Sequence, residues 1–242
     1  MRTILIILIT FIVPLYKVKA QIPGTAVIGI KAGYTLSSLW GANVGDSLST
    51  GGKTSSKSGF NLGVGVNSML GKYFWLKHDL FLVKKGAVLS INDGKNPTYK
   101  SNLNLLYLDL YPCSPTFHYK GLQLFAGPYL GGLISSSIQR KNSAGDLYTD
   151  KSIYGAGSTL KHYTEHIDLG FVAGVEYEFN CGLNIGIRYV RGFVPLMENT
   201  QTTAGQAKIY NKSMNISIGY TFGRDKGIKI KKKTQADLPP GY

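Results

Sequence analysis

Beyond its first twenty residues, this chain has no stretch approaching the roughly eighteen consecutive apolar residues that a membrane-spanning helix needs, so no helical span is expected in the mature protein. Acid is also scarce. Asp and Glu number 13 against 27 Lys and Arg, a formal net charge of +14. That imbalance points to anionic partners, either nucleic acid or the phosphates of a lipid surface. Cysteine is nearly absent, with only Cys113 and Cys181, and none lies just after residue 20 to carry a lipid anchor. An oxidising compartment permits a bridge between the two. Their separation decides it, because Cα atoms more than about 7 Å apart cannot be bridged, and two unpaired thiols are the alternative. No second domain is evident, nor any repeat above the level of paired strands. Against these absences stand 30 glycines and 16 tyrosines, a composition of short strands and turns.

The first twenty residues differ in kind from the rest. Arg2 gives a positive start, Thr3 to Leu15 forms an apolar run, and Val18-Lys19-Ala20 ends it with small or apolar residues at the two positions that a signal peptidase inspects. The run is too short to span a bilayer and reads as a cleaved secretory leader, residues 1–20. Export removes nucleic acid from the partners and leaves lipopolysaccharide phosphates and outer-membrane lipid, or an acidic protein.

The stretch from His166 to Phe193 sets the pattern for the rest of the chain. Ile167, Leu169, Phe171, Ala173, Val175, Tyr177 and Phe179 alternate with His166, Asp168, Gly170, Val172, Gly174, Glu176 and Glu178. After Asn180-Cys181-Gly182 the alternation resumes, with Leu183, Ile185, Ile187 and Tyr189 against Asn184, Gly186 and Arg188. Successive side chains point to opposite faces of a strand, so one face is apolar and the other charged or empty. An apolar outside, a polar inside and aromatic ends describe a strand solvated by lipid.

The same pattern recurs from Ala26 to Leu36, Phe60 to Leu70, Phe74 to Leu89, Asn102 to Phe117, Leu122 to Ile138 and Met214 to Phe222. With the hairpin these make eight strands, three short turns on one side and four longer polar connections on the other. The fold class is all-β, an eight-stranded antiparallel up-and-down transmembrane β-barrel over residues 21–222. An even strand number puts both termini on one side, the periplasmic side of a Gram-negative outer membrane. Pro112 and Pro115 are expected to bulge the lower end of the fourth strand, and Pro128 to bulge the fifth.

Five segments in this order carry a family resemblance: Gly29-Ile-Lys-Ala-Gly-Tyr-Thr-Leu-Ser, Leu80-Phe-Leu-Val-Lys-Lys-Gly, Tyr107-Leu-Asp-Leu-Tyr-Pro, Gly127-Pro-Tyr-Leu-Gly-Gly-Leu and Ile218-Gly-Tyr-Thr-Phe. From about Gly29 to Phe222 the chain resembles the PorT-like outer-membrane β-barrels of Bacteroidota-type bacteria. The resemblance implies a small barrel whose namesake is needed for type IX protein secretion. That role does not pass to every chain of the broad family. The basic tail departs from members that stop at the last aromatic strand residue.

His162-Tyr-Thr-Glu-His166 fits the H-x-x-E-H spelling of a zinc-peptidase helix. Two histidines four apart share a metal only on a helical face, whereas here a period-two strand follows at once. On a strand the pair would lie about 13 Å apart, so no metal and no cofactor is expected. The inward charges Lys31, Asp79, Asp109, Asp168, Glu176, Glu178 and Arg188 suit either an ion path or a structural network. Eight strands leave an interior that side chains nearly fill, which favours the network. A rim-sited lipid-modifying serine enzyme using His162 or His166 is the alternative of a different class, and a narrow diffusion pore is a second; spacing supplies a triad for neither. Trp40, Tyr148 and Tyr154 suit either an external ligand or the lipid interface. The tail, residues 223–242, carries Lys229, Lys231, Lys232 and Lys233 and ends in Pro-Pro-Gly-Tyr. It is expected to be a solvated periplasmic end or a docking segment for a periplasmic or secretion-machinery protein. The functional expectation is a non-enzymatic structural or accessory component of an envelope assembly.

Overall fold

A computed structural model of the chain describes residues 26–41, 54–91, 97–151, 166–196 and 208–222. The leader, the basic tail with Lys229, Lys231, Lys232 and Lys233, His162, Glu165 and Tyr154 lie outside the described residues. Among those described are nine strands: β1 (Ala26–Trp40), β2 (Thr54–Met69), β3 (Phe74–Ile91), β4 (Tyr99–Tyr119), β5 (Leu122–Lys141), β6 (Leu147–Asp150), β7 (Ile167–Glu178), β8 (Leu183–Gly192) and β9 (Tyr210–Phe222). All pair antiparallel, and β1–β9 together with β4–β5 pairing closes eight of them into a ring. The ninth, β6, folds back on the projecting end of β5, Ile138 facing Asp150 and Lys141 facing Leu147. It lies in a stretch whose polarity predicts an irregular loop.

Short turns gather at one end of the ring, called here the turn end. Tyr119 pairs with Leu122 across a two-residue turn in which Lys120 (φ 49°) and Gly121 (φ 89°) both adopt left-handed backbone. That pair of angles matches the twist of flanking strands, and glycine adopts it without steric cost. The opposite, loop end carries the longer connections. There the strands outrun the sequence pattern: β1 continues to Trp40 and β2 starts at Thr54, in Ser- and Thr-rich segments expected to be loop.

The alternation places Ile28, Ile30, Leu62, Val64, Ile187, Ile216 and Ile218 on the outside, each about half exposed. An apolar exterior of this extent marks a surface solvated by something other than water. Aromatic side chains ring the turn end, with Tyr73, Phe74, Phe117 and Tyr119 in mutual contact.

Two irregularities change which residues face inward. In β4 the buried positions run Leu103, Leu105, Tyr107, Asp109, Tyr111, then switch to Ser114 and Thr116. The registers with both neighbours slip there, leaving one extra β4 residue at Pro112–Cys113. His78 Nδ1 meets the Pro112 carbonyl at 2.5 Å, filling a place that the ladder leaves open. The bulge expected at Pro128 is therefore displaced: Pro128 stays in register with Phe171 of β7, and the extra residue sits on the strand across from it. A second slip at Ile134 moves the inward phase of β5 from Leu133 to Ser136. Cys113 and Cys181 are both unpaired and exposed.

Candidate functional site

Inward positions of β3 sample the lumen from end to end: Trp75, Lys77, Asp79, Phe81, Val83, Lys85, Ala87 and Leu89, every one buried. The lumen is filled in layers. At the turn end Trp75 stacks on His118, with ring centroids 3.9 Å apart, and Gln123 Nε2 donates to Glu178 at 2.7 Å.

Above this layer lies a cluster of three cations and two carboxylates. Lys31 Nζ is 2.7 Å and Lys77 Nζ 2.9 Å from the same oxygen of Glu176. Asp79 Oδ2 accepts from Arg188 at 3.1 Å and lies 3.8 Å from Lys31. Desolvated charges hold only when paired, and here each carboxylate is shared by two cations. Aromatic faces complete their surroundings: the Arg188 guanidinium lies 4.2 Å over Phe81, and Lys77 lies 4.7 Å over Phe125. Glycines opposite these side chains make the room. A Cβ on Gly65 would come within 2.0 Å of Asp79 Oδ1.

Phe81, Val83, Tyr111, Phe125, Tyr129, Val172 and Val190 form the next layer. It adjoins a second charge cluster of opposite bias, one cation with two carboxylates. Lys85 Nζ is 2.7 Å from Asp109 and donates to the Tyr129 hydroxyl at 2.6 Å. The hydroxyl in turn lies 3.2 Å from Asp109 and 3.3 Å from Asp168. Asn211 Nδ2 donates to Asp168 at 3.2 Å and to the Tyr107 hydroxyl at 3.1 Å. At the loop end an apolar cluster closes the interior: Leu39, Ala87, Leu89, Leu103, Leu105, Leu133, Ile138, Leu196 and Ile209.

The seven inward charges read from the sequence are thus all buried, yet they do not form one network. Lys31, Asp79, Glu176 and Arg188 meet in one cluster, Asp109 and Asp168 in another, and Glu178 bonds Gln123 near the turn end. Lys77 and Lys85, which the alternation of β3 also turns inward in the sequence, belong with them, on Glu176 and Asp109. Asn211 gives no such signal, because its segment reads as a polar connection. The apolar layer at the loop end likewise departs from the uniformly polar interior that the strand pattern suggests.

Of the H-x-x-E-H motif, only His166 is described. It is exposed, and its carbonyl accepts from the Leu133 amide at 2.8 Å as β7 begins. Among the described residues, no group of three or more His, Cys, Asp and Glu side chains is placed to hold a metal. Trp40 stacks against Tyr210 at 4.7 Å, and Tyr148 is exposed on β6.

A closed antiparallel ring, apolar outside and filled with paired charge inside, is the frame of a small outer-membrane barrel. Residues 20–198 match the family described as "Outer membrane protein beta-barrel domain". The chain belongs to this family. Membership places this outer-membrane barrel among proteins that cross the membrane with strands; no helix among the described residues is long and apolar enough to cross. No curated protein matches the chain. Solved structures with a similar chain trace include Ail, the attachment invasion locus protein of Yersinia pestis, in complex with the heparin analogue sucrose octasulfate. It is 12% identical, with 81% of this chain and 99% of that one covered and a TM-score of 0.44. Neisserial surface protein A is 11% identical over 82% and 99% of the two chains, with a TM-score of 0.45. OprG from Pseudomonas aeruginosa is 14% identical over 82% and 97%, with a TM-score of 0.42.

Proposed function

We propose that this protein is a sealed, non-enzymatic barrel acting as a structural or accessory component of an envelope assembly, with its loop end outside the cell and both termini in the periplasm. The observation that carries this reading is the occupied lumen. From Trp75 to Leu89 every inward side chain of β3 is buried against others, so the interior supports the wall and the work is done on surfaces. The seven inward charges and their partners Lys77 and Lys85 are then structural, holding opposite walls together. The closed ring of eight strands supports the placement of both termini on one side, as delivery from the periplasm requires.

Lipopolysaccharide and other outer-membrane lipid are its lipid partners, and the basic tail with Lys229, Lys231, Lys232 and Lys233 docks a periplasmic protein. The PorT-like resemblance makes type IX protein secretion the first assembly to test. Crosslinking and pull-down from intact envelopes compare the full chain with one truncated after Phe222. Capture of a defined secretion component by the full chain alone is the expected result; identical capture by both chains overturns the docking role of the tail.

A further inference from the structure

The outer wall carries an unbalanced pair of cations. Arg191 of β8 and Lys212 of β9 stand directly opposite each other and share the outward face. Like charges in such a cross-strand pair repel, and a sheet normally avoids them. Among the described residues no carboxylate relieves the repulsion. Asp79, Asp109, Asp168, Glu176 and Glu178 are buried in the lumen. Asp146 and Asp150 are held in the β5–β6 hairpin by Asn142 at 3.3 Å and Arg140 at 3.0 Å.

Arg191 is nevertheless held in place. Its guanidinium lies 3.8 Å over the Trp40 ring, which packs on Tyr210 at 4.7 Å and donates from Nε1 to the Asn211 carbonyl at 3.2 Å. Stacking occupies a face of the guanidinium, and Arg191 Nε is buried with no hydrogen-bond partner among the described residues. A fixed guanidinium beside an ammonium suits a tetrahedral oxyanion.

Directly below the pair, toward the turn end, the same outward row continues as Tyr189 opposite Met214, Ile187 opposite Ile216 and Ile185 opposite Ile218. All six are exposed, and the rungs are about 6.7 Å apart. A charged head therefore sits over an apolar track, at the aromatic level where lipid headgroups lie. We infer that Arg191 and Lys212 bind the phosphate of an outer-leaflet lipid headgroup, whose acyl chain lies along Tyr189, Met214, Ile187 and Ile216. The leaflet assignment rests on the orientation proposed above.

The test uses the full chain in nanodiscs of phosphatidylcholine doped with lipid A, either carrying its phosphates or dephosphorylated, with retained lipid counted by native mass spectrometry. Wild type retains the phosphorylated form at least tenfold over the other, and R191Q/K212Q loses that preference. K212E also loses it, yet unfolds at a higher temperature in neutral detergent, because a glutamate opposite Arg191 replaces repulsion with attraction. Equal retention of both lipids by wild type, unchanged preference in the variants, or displacement of the lipid by millimolar inorganic phosphate overturns the headgroup site. Sidedness is read separately, by labelling S143C in a C113S/C181S background with an impermeant maleimide on intact cells. Labelling before permeabilisation places the site in the outer leaflet; labelling only afterwards, with lipid preference intact, overturns the leaflet and the proposed orientation but not the phosphate pair.

Discussion

At the scale of single residues the lumen is held by shared charges, and Glu176 is the one most depended upon. One of its oxygens lies within 2.9 Å of both Lys31 and Lys77. Glu176→Gln keeps the shape but leaves buried Lys77 without its anion and Lys31 with only Asp79 at 3.8 Å, a loss of about 3–5 kcal/mol. The urea midpoint of the folded, heat-modifiable band on gels should fall accordingly. Gly65→Ala attacks the neighbouring carboxylate sterically, since its Cβ would meet Asp79 Oδ1 at 2.0 Å while Arg188 and Lys31 hold that side chain. A loss of about 1–3 kcal/mol is expected on the same assay. Inward charges were legible in the sequence because alternation marks the face. Their partition into two clusters, with Glu178 apart on Gln123, was not, because it depends on which strands stand opposite across the ring.

At the scale of elements, β4 shows what pattern reading reaches and where it stops. Pro112 and Pro115 signal an irregular lower end, and the structure puts an extra residue at Pro112–Cys113. Prolines mark the place of a bulge without stating on which of two strands the added residue lies, so Pro128 misleads. Deleting Cys113 removes the extra residue and restores a continuous register in which Ser114 and Thr116 stay inward and Pro115 and Phe117 stay outward. Such a chain should still assemble into the compact barrel, as Cys113→Ser should; gel mobility before and after heating checks both, and failure of the deletion alone would make the bulge itself a requirement of assembly. The loop-end extensions of β1 and β2 and the β5–β6 hairpin are illegible for a different reason. Backbone pairing sustains them where side chains carry no alternation.

At the scale of the whole molecule, the barrel is proposed to have no path through it. Its strand count, closure and apolar exterior follow from a period-two pattern repeated eight times. The loop-end seal escapes that pattern, since Leu196 and Ile209 come from flanks of a connection and join Leu39, Leu103 and Leu133 only in three dimensions. Two charge clusters of opposite bias, separated by an aromatic layer and capped by an apolar one, fill the described lumen and are the basis on which the barrel is proposed to be sealed. The measurement that tests this most directly is planar-bilayer conductance of the purified full chain in 1 M KCl. A silent bilayer at potentials up to about 100 mV, with insertion confirmed by protease protection, is the predicted result. Stepwise currents that scale with salt would contradict it and restore the narrow pore.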